Sequence, residues 1–445
     1  CFLPTCPELN MSNRLTALKY NFVEIQGSSG AKKKIDLTGS VVFCDYFEDI
    51  LSPCIMMTLQ IAANYSIYNG LPIRGGERVE LDIETGTGNF KLTGTKAMYV
   101  YKVSSIITDG SKEFFTLHLC SREGLTNETS RVQKKYQKKP INEHVESILK
   151  DVLKTNKFKS QNIERTSNSY SFIGTLKKPF HVLTWLGPKA IPSTSSSGKS
   201  GNQSKGVAGF LFYETIDGFN FRSIDTLVSK TQSQVSSTSK ESIPQYKYDP
   251  GVQEANVTSN NFNIINYGFE KNIDLMKSLR VGMYANITYF YDLYKNQVDG
   301  ITYNLSNEVK SKLGGSKIPK PNPEVFENKP SRILFRTSDV GMLDSEGSTE
   351  DSGRDNADMA KSFSRYNLLF TQALNMIVPM NINLKAGTII YAQFAKVDAS
   401  QSGEVDEQQS GNYLIKEVRH HFEDNQMVSS LKLIRDSYGL SGAKQ

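Results

Sequence analysis

Short runs in which apolar and polar side chains alternate, each closed by a glycine or a polar turn, dominate the two ends of this chain. A period of two is what a half-buried β-strand requires. Arg78-Val-Glu-Leu-Asp-Ile83 is the clearest case: Val79, Leu81 and Ile83 point one way, and Arg78, Glu80 and Asp82 point the other. Ser40-Val-Val-Phe43, Ala97-Met-Tyr-Val-Tyr-Lys-Val103 and Phe114-Phe-Thr-Leu-His-Leu119 continue the theme, and Asp109-Gly110 between the last two is a strong hairpin signal. From Arg14 to about Ser121 the pattern therefore predicts a sandwich or barrel.

The 445 residues set a prior of about three domains. A hydrophobic content of 38% is low enough to imply long polar loops on the folded body. Three stretches fit that role: 193–206, rich in Ser, Gly and Lys; 229–242; and 306–360, which holds Lys317-Ile-Pro-Lys-Pro-Asn-Pro323 and an acidic run from Asp344 to Asp358. No apolar run approaches the length of a membrane helix, so no membrane partner is expected. Cys1 is not an initiator residue, so whatever stood upstream was removed, processed or lies outside this sequence, and Phe2-Leu3-Pro4 is unlike the polar tether that follows a lipidated cysteine.

Helical spacing enters in the middle. Ile141, Val145, Ile148, Leu149, Val152 and Leu153 recur at intervals of three and four behind Pro140, which predicts an amphipathic helix. A second helix is expected around 180–186, burying Trp185, and a third over roughly 362–375. Gly209 to Arg222 reads as a hairpin around Asp217-Gly218 with apolar residues on both faces. Tyr284 to Tyr291 reads as a strand, and three strands, 387–394, 413–422 and 427–435, close the chain.

Catalytic patterns do not emerge. There is no Gly-x-Ser-x-Gly elbow, phosphate-binding loop or dinucleotide fingerprint. The five cysteines, Cys1, Cys6, Cys44, Cys54 and Cys120, lack the spacing of a zinc site. Of the five histidines, His118 lies in an alternating strand, His144 flanks a helix, and His420 and His421, being adjacent on a strand, face opposite ways. The acidic stretch from Asp344 to Asp355 lacks the ligand order of a calcium loop. No catalytic residue, metal or cofactor is therefore expected. Paired carboxylates remain the enzymatic alternative: a virion-associated or secreted carbohydrate-active protein, either a hydrolase of polysaccharide or peptidoglycan or a lectin-like binder.

Net charge is +6, a mild bias. One local run stands out: Arg131, Lys134, Lys135, Lys138 and Lys139 put five cations into nine residues, with Tyr136 among them. Such a run suits phosphate or an acidic protein, or is a solvated face.

The closing residues carry a resemblance. Arg365-Tyr-Asn-Leu-Leu-Phe-Thr-Gln-Ala-Leu374, Leu384-Lys-Ala-Gly-Thr-Ile-Ile390, Ser410-Gly-Asn-Tyr-Leu-Ile-Lys-Glu-Val-Arg-His-His-Phe422 and Ser430-Leu-Lys-Leu-Ile-Arg-Asp-Ser437, taken in that order, resemble the last barrel of the baseplate hub of contractile-tailed phages, of the T-even-like and marine myophage kind. Phe212-Tyr-Glu-Thr-Ile-Asp-Gly-Phe-Asn-Phe-Arg-Ser-Ile224 is similar to the same family. The resemblance implies a mainly β fold with an α/β insertion. Two related β-barrel domains per chain would form a pseudo-sixfold ring in a homotrimer. On that basis the expected domains are 1–125, a tube-like barrel; 126–245, the α/β insertion; and 246–440, a second barrel interrupted at about 306–360. It also implies a structural protein of the virion, adapting a sixfold tail tube to a threefold spike. Its partners would be that spike, the tube or tube-initiator, the surrounding baseplate wedge proteins, and DNA in transit without specific binding.

Overall fold

The computed structural model describes residues 18–27, 34–63, 73–86, 88–110, 112–193, 208–228, 243–248, 262–271, 274–293, 296–305, 329–337, 352–396, 404–424 and 426–439. The expectations for Cys1, for the polar tracts beyond Ser193 and Val228, for the Pro-rich run and for the acidic run up to Asp351 lie outside those residues; the rest of 306–360 is not the polar loop expected, because Arg332–Thr337 is a strand that pairs with Asn286–Tyr291 and a helix begins at Ser352.

The first third folds as the alternation predicts, into antiparallel strands β1 (Lys19–Gln26), β2 (Lys34–Asp36), β3 (Val41–Asp49), β4 (Met56–Ala63), β5 (Arg78–Thr85), β6 (Gly88–Leu92), β7 (Met98–Asp109) and β8 (Lys112–Ser121). Val23, Ile25, Leu59, Ile61, Val79, Leu81, Ile83, Phe115, Leu117 and Leu119 face one another in its core. Each contributes about 1.5–3 kcal/mol by leaving water. The turn between β7 and β8 places Gly110 at φ 60°, a conformation cheap only for glycine.

A middle region follows. It contains helix Arg122–Thr129, β9 (Lys135–Pro140), helix Ile141–Ser147, β10 (Ser169–Ile173), helix Pro179–Leu186, and the hairpin of β11 (Phe210–Thr215) and β12 (Gly218–Ser223). The helix behind Pro140 does form, but its regular part ends at Ser147 and the next turn, Ile148–Val152, widens to a π-helix. The wider turn keeps Ile148, Leu149 and Leu153 all buried, and this packing outweighs the poorer hydrogen bonding. The hairpin is buried on both faces, as expected: all six residues of β11 are inside.

The last third holds β13 (Gln245–Lys247), β14 (Asn266–Lys271), β15 (Ala285–Asp292), β16 (Gln297–Asn304), β17 (Arg332–Thr337), helix Ser352–Leu369, β18 (Gln372–Pro379), β19 (Ile389–Gln393), β20 (Gly411–Glu423) and β21 (Val428–Arg435). One expectation is corrected here. The helix anticipated over 362–375 stops at Leu369, and Gln372–Pro379 is a strand that pairs with β14 and β21. Gln372, Leu374, Met376 and Val378 are buried at a period of two, and this second pattern overrides the helical one.

Strand β20 ties the molecule together. Its first residues, Gly411 to Leu414, pair with β19, and its last, Glu417 to Glu423, pair with β3 near the other end of the sequence. A register shift between Ile415 and Glu417 against β21 marks the handover. The result is one 14-stranded sheet in which β3 and β20 are neighbours and two cores lie on either side of the seam, one built from β1 to β8 and one from β13, β14 and β18 to β21.

Candidate docking surface

The basic run stands on two apolar feet. Val132 is buried and bridged to Lys177, and Tyr136 is buried with its ring stacked 4.5 Å from that of Phe172. With those two turned inward, every cation of the run points out. Arg131 folds back, its guanidinium donating to the carbonyls of Glu128 at 2.9 Å and Ser130 at 2.7 Å. Lys134 donates to Asp151 at 2.7 Å and Ser147 at 3.1 Å. Lys139 lies 4.0 Å from Glu143. Lys135 and Lys138 are exposed on β9. In the β9–β10 register Phe172 faces Tyr136 and Tyr170 faces Lys139, so Gln137 and Lys138 together oppose Ser171 in a bulge. The five residues thus share one edge of the middle region, and acids of the same chain partly compensate it, Asp151 beside Lys134 and Glu143 beside Lys139.

Trp185 is not the core residue expected. The helix Pro179–Leu186 buries Phe180, Val182, Leu183 and Leu186, which leaves Trp185 on the far side and 40% exposed. The Lys189 ammonium sits 4.6 Å from its ring centroid and 4.8 Å from that of Tyr170, where a sugar would otherwise stack.

His420 and His421 point to opposite faces, as adjacent strand residues must. His420 is buried against Ser429 at 2.9 Å and the Leu384 carbonyl at 3.1 Å, and burial pushes it down to about 4. His421 is raised instead, by its hydrogen bonds to Asp45 at 2.7 Å and Glu423 at 3.0 Å. Among the described residues no group of three or more His, Cys, Asp or Glu side chains is arranged to hold a metal ion. Burial raises the thiols of Cys54 to about 11 and Cys120 to about 12, which makes both poor nucleophiles.

Two carboxylates that the sequence reading passed over lock the middle region onto the sheet. Glu48, on β3, accepts hydrogen bonds from Tyr46 at 2.8 Å, from the Ile216 N–H at 2.6 Å and from the Ala386 N–H at 3.0 Å. Glu214, on β11, reaches the opposite way and accepts from the Ile55 N–H at 3.2 Å and from Ser121 at 2.6 Å. Lys157 lies 3.7 Å from Glu214 and 2.8 Å from Glu123. Both carboxylates are buried, and burial pushes each up to about 7. The available signal was an acid inside Phe-Leu-Phe-Tyr-Glu-Thr, a strand apolar on both faces.

No protein-family model and no curated protein matches this chain. Solved structures do. A tail protein from Neisseria meningitidis MC58 is 10% identical, with 94% of this chain and 97% of that one covered at a TM-score of 0.50. The 43 kDa tail protein of prophage MuSo2 from Shewanella oneidensis is also 10% identical, with 94% and 100% covered and a TM-score of 0.48. An E. coli component of the type VI secretion system, described as structurally similar to bacteriophage tail proteins, is 10% identical over 96% and 79% at 0.45. The chain is mainly β, and over nearly its whole length it has the fold of the Neisseria tail protein.

Proposed function

We propose that this chain is the structural hub of a contractile phage-tail baseplate, located in the virion. In this reading the two cores beside the β3–β20 seam are two related barrels, three copies supply six of them, and the pseudo-sixfold ring adapts the tail tube to a threefold central spike. The observation that supports it most is the tail-protein fold, matched over 94% of the chain. Work of this kind is done by complementary surfaces, so neither a nucleophile nor a cofactor is required. Light scattering of the purified chain, alone and with a spike protein, tests it. A particle near three times 49.8 kDa is expected. Monomer at every micromolar concentration overturns the reading, and so does turnover of peptidoglycan or capsule that one carboxylate substitution abolishes.

In the same reading, Arg131, Lys134, Lys135, Lys138 and Lys139 face an acidic neighbour in the baseplate. A lumen that DNA must traverse is better left without tight phosphate contacts, because gripping the duplex would stall ejection. Replacing Lys134, Lys135, Lys138 and Lys139 by Ser leaves the ring intact and removes docking onto the tube-initiator or wedge proteins. Sequence-specific, salt-resistant DNA binding by the unaltered chain overturns this assignment.

A further inference from the structure

Where the first sheet meets the middle region, the two do not close on each other completely. A cavity of about 220 Å³ lies between them. One wall is the first sheet with its turns, which contributes Ile55, Leu92 and Met98; the other is the segment 156–159 together with the turn between β11 and β12. That second wall is fixed in place. The Phe219 N–H donates to the Lys157 carbonyl at 2.7 Å, and Gly218 packs so closely that a Cβ would lie 2.2 Å from the same carbonyl oxygen. At about 30 Å³ per water the cavity has room for roughly seven waters or one small organic molecule, and it is smaller than the roughly 300–1,000 Å³ that a drug-sized ligand occupies.

Its floor and its rim differ in chemistry. Ile55, Leu92 and Met98 are buried and form the floor. Glu214 stands there too, but its Oε2 already accepts from Ser121 and from the Ile55 N–H. Lys96 and Lys159, one from each wall, are exposed at the rim. Burial would raise the Asp217 carboxyl beside them, but Lys385, Lys159 and Lys96 together hold it below its ordinary range, so three ammonium groups bear on one acid. Only Lys385 reaches it, at 2.5 Å. Among the described residues neither Lys96 nor Lys159 is paired with an acid. Two unpaired cations over an apolar floor suit a ligand that is anionic at one end and apolar at the other. Inorganic phosphate has nothing to set against Ile55 and Leu92, and a duplex is far too wide to enter. Beside a floor that excludes water, an ammonium–carboxylate contact is stronger than the same contact in open solvent.

We propose that this cavity binds the carboxylate end of a short apolar chain, with the carboxylate held by Lys96 and Lys159 and the chain laid against Met98, Leu92 and Ile55. The site is independent of the hub reading. Two sources share this chemistry, a free short-chain acid and the carboxyl terminus of a peptide that ends in an aliphatic residue. The test labels the 11 methionine methyl groups of the full-length chain with carbon-13 and follows the Met98 signal, assigned by Met98→Leu, during titration with hexanoate and separately with N-acetyl-Gly-Leu. A saturable shift with half-saturation below about 10 mM is expected for at least one of them, and the one that saturates at the lower concentration identifies the source. The double variant Lys96→Gln, Lys159→Gln, which alters two exposed side chains, should raise that concentration about fivefold or more. Lys19→Gln, Lys112→Gln, an equal loss of charge at the exposed starts of β1 and β8, should leave it unchanged. Three results overturn the proposal: a Met98 signal that neither carboxylate moves; an equal shift with hexanamide or with inorganic phosphate; or a Lys96, Lys159 double variant that binds like the parent. None of these outcomes turns on whether the chain forms trimers.

Discussion

A carboxylate taken out of water costs several kcal/mol unless it is neutralised or fully hydrogen-bonded, and the junction between sheet and middle region buries two, Glu48 and Glu214. In the folded chain each keeps its proton up to about pH 7, against an ordinary value of 4.5. Folding therefore takes up protons. The contribution of these groups is fully present below about pH 4.5 and is lost as the pH rises through 7. Glu214→Gln stays uncharged at every pH, so its unfolding free energy should gain on the parent's by up to about 3 kcal/mol between pH 5 and pH 8. Urea titrations across that range check this, and a constant difference would refute it. Gly218 gives a second test at the same scale. It sits at φ 111°, and a Cβ there would lie 2.2 Å from the Lys157 carbonyl oxygen. Gly218→Ala should cost more than about 1 kcal/mol, while Gly39→Ala, with nothing within 4 Å, should change stability by less than about 0.5 kcal/mol. Thermal unfolding of the two variants decides.

At the scale of elements, removing everything from Gly411 onward deletes β20 and β21 together. That uncovers β3, β18 and β19 at once and forfeits Leu414, Ile415, Val418, Phe422, Leu431 and Leu433, all buried. The expected product is insoluble; a soluble, folded truncation recovered by size exclusion would show that the final hairpin is dispensable. What could be read from the sequence was whatever is encoded within a few neighbouring residues. The alternation of Val79, Leu81 and Ile83, the helix behind Pro140 and the doubly buried hairpin at Asp217-Gly218 all announce themselves locally. Strand β18 did not, because Gln372-Ala-Leu-Asn375 satisfies a helical period as well as a strand period, and only pairing with β14 and β21 decides between them. The outward basic run was visible as composition. The clasp of Glu48 and Glu214 was not, because its partners Ile216, Ala386, Ile55 and Ser121 are brought together only by the tertiary fold.

For the whole molecule the charge distribution makes a prediction of its own. The chain carries a net charge of +6, so weak association with any duplex at low salt is expected, without preference for sequence. It should fall steeply as salt rises, with a logarithmic slope that drops by about one for each of Lys134, Lys135, Lys138 and Lys139 that truly meets phosphate. A slope unchanged by all four substitutions, measured by fluorescence anisotropy, places those lysines away from DNA, as the docking role requires. The shared strand has a different consequence, one of timing. The hydrogen bond between Asp45 and His421 joins residues 376 apart in the chain. At about 5–20 residues per second a ribosome needs roughly 20 to 75 s to make that interval. For all of that time β3 has been synthesised and the strand that belongs beside it has not, so the nascent amino-terminal third presents an open, hydrogen-bond-hungry edge wherever several copies are translated close together. The same strand that makes the finished molecule hard to divide makes the unfinished one prone to pairing with the wrong neighbour, and its yield should depend on translation rate and temperature more than on the stability of the final fold.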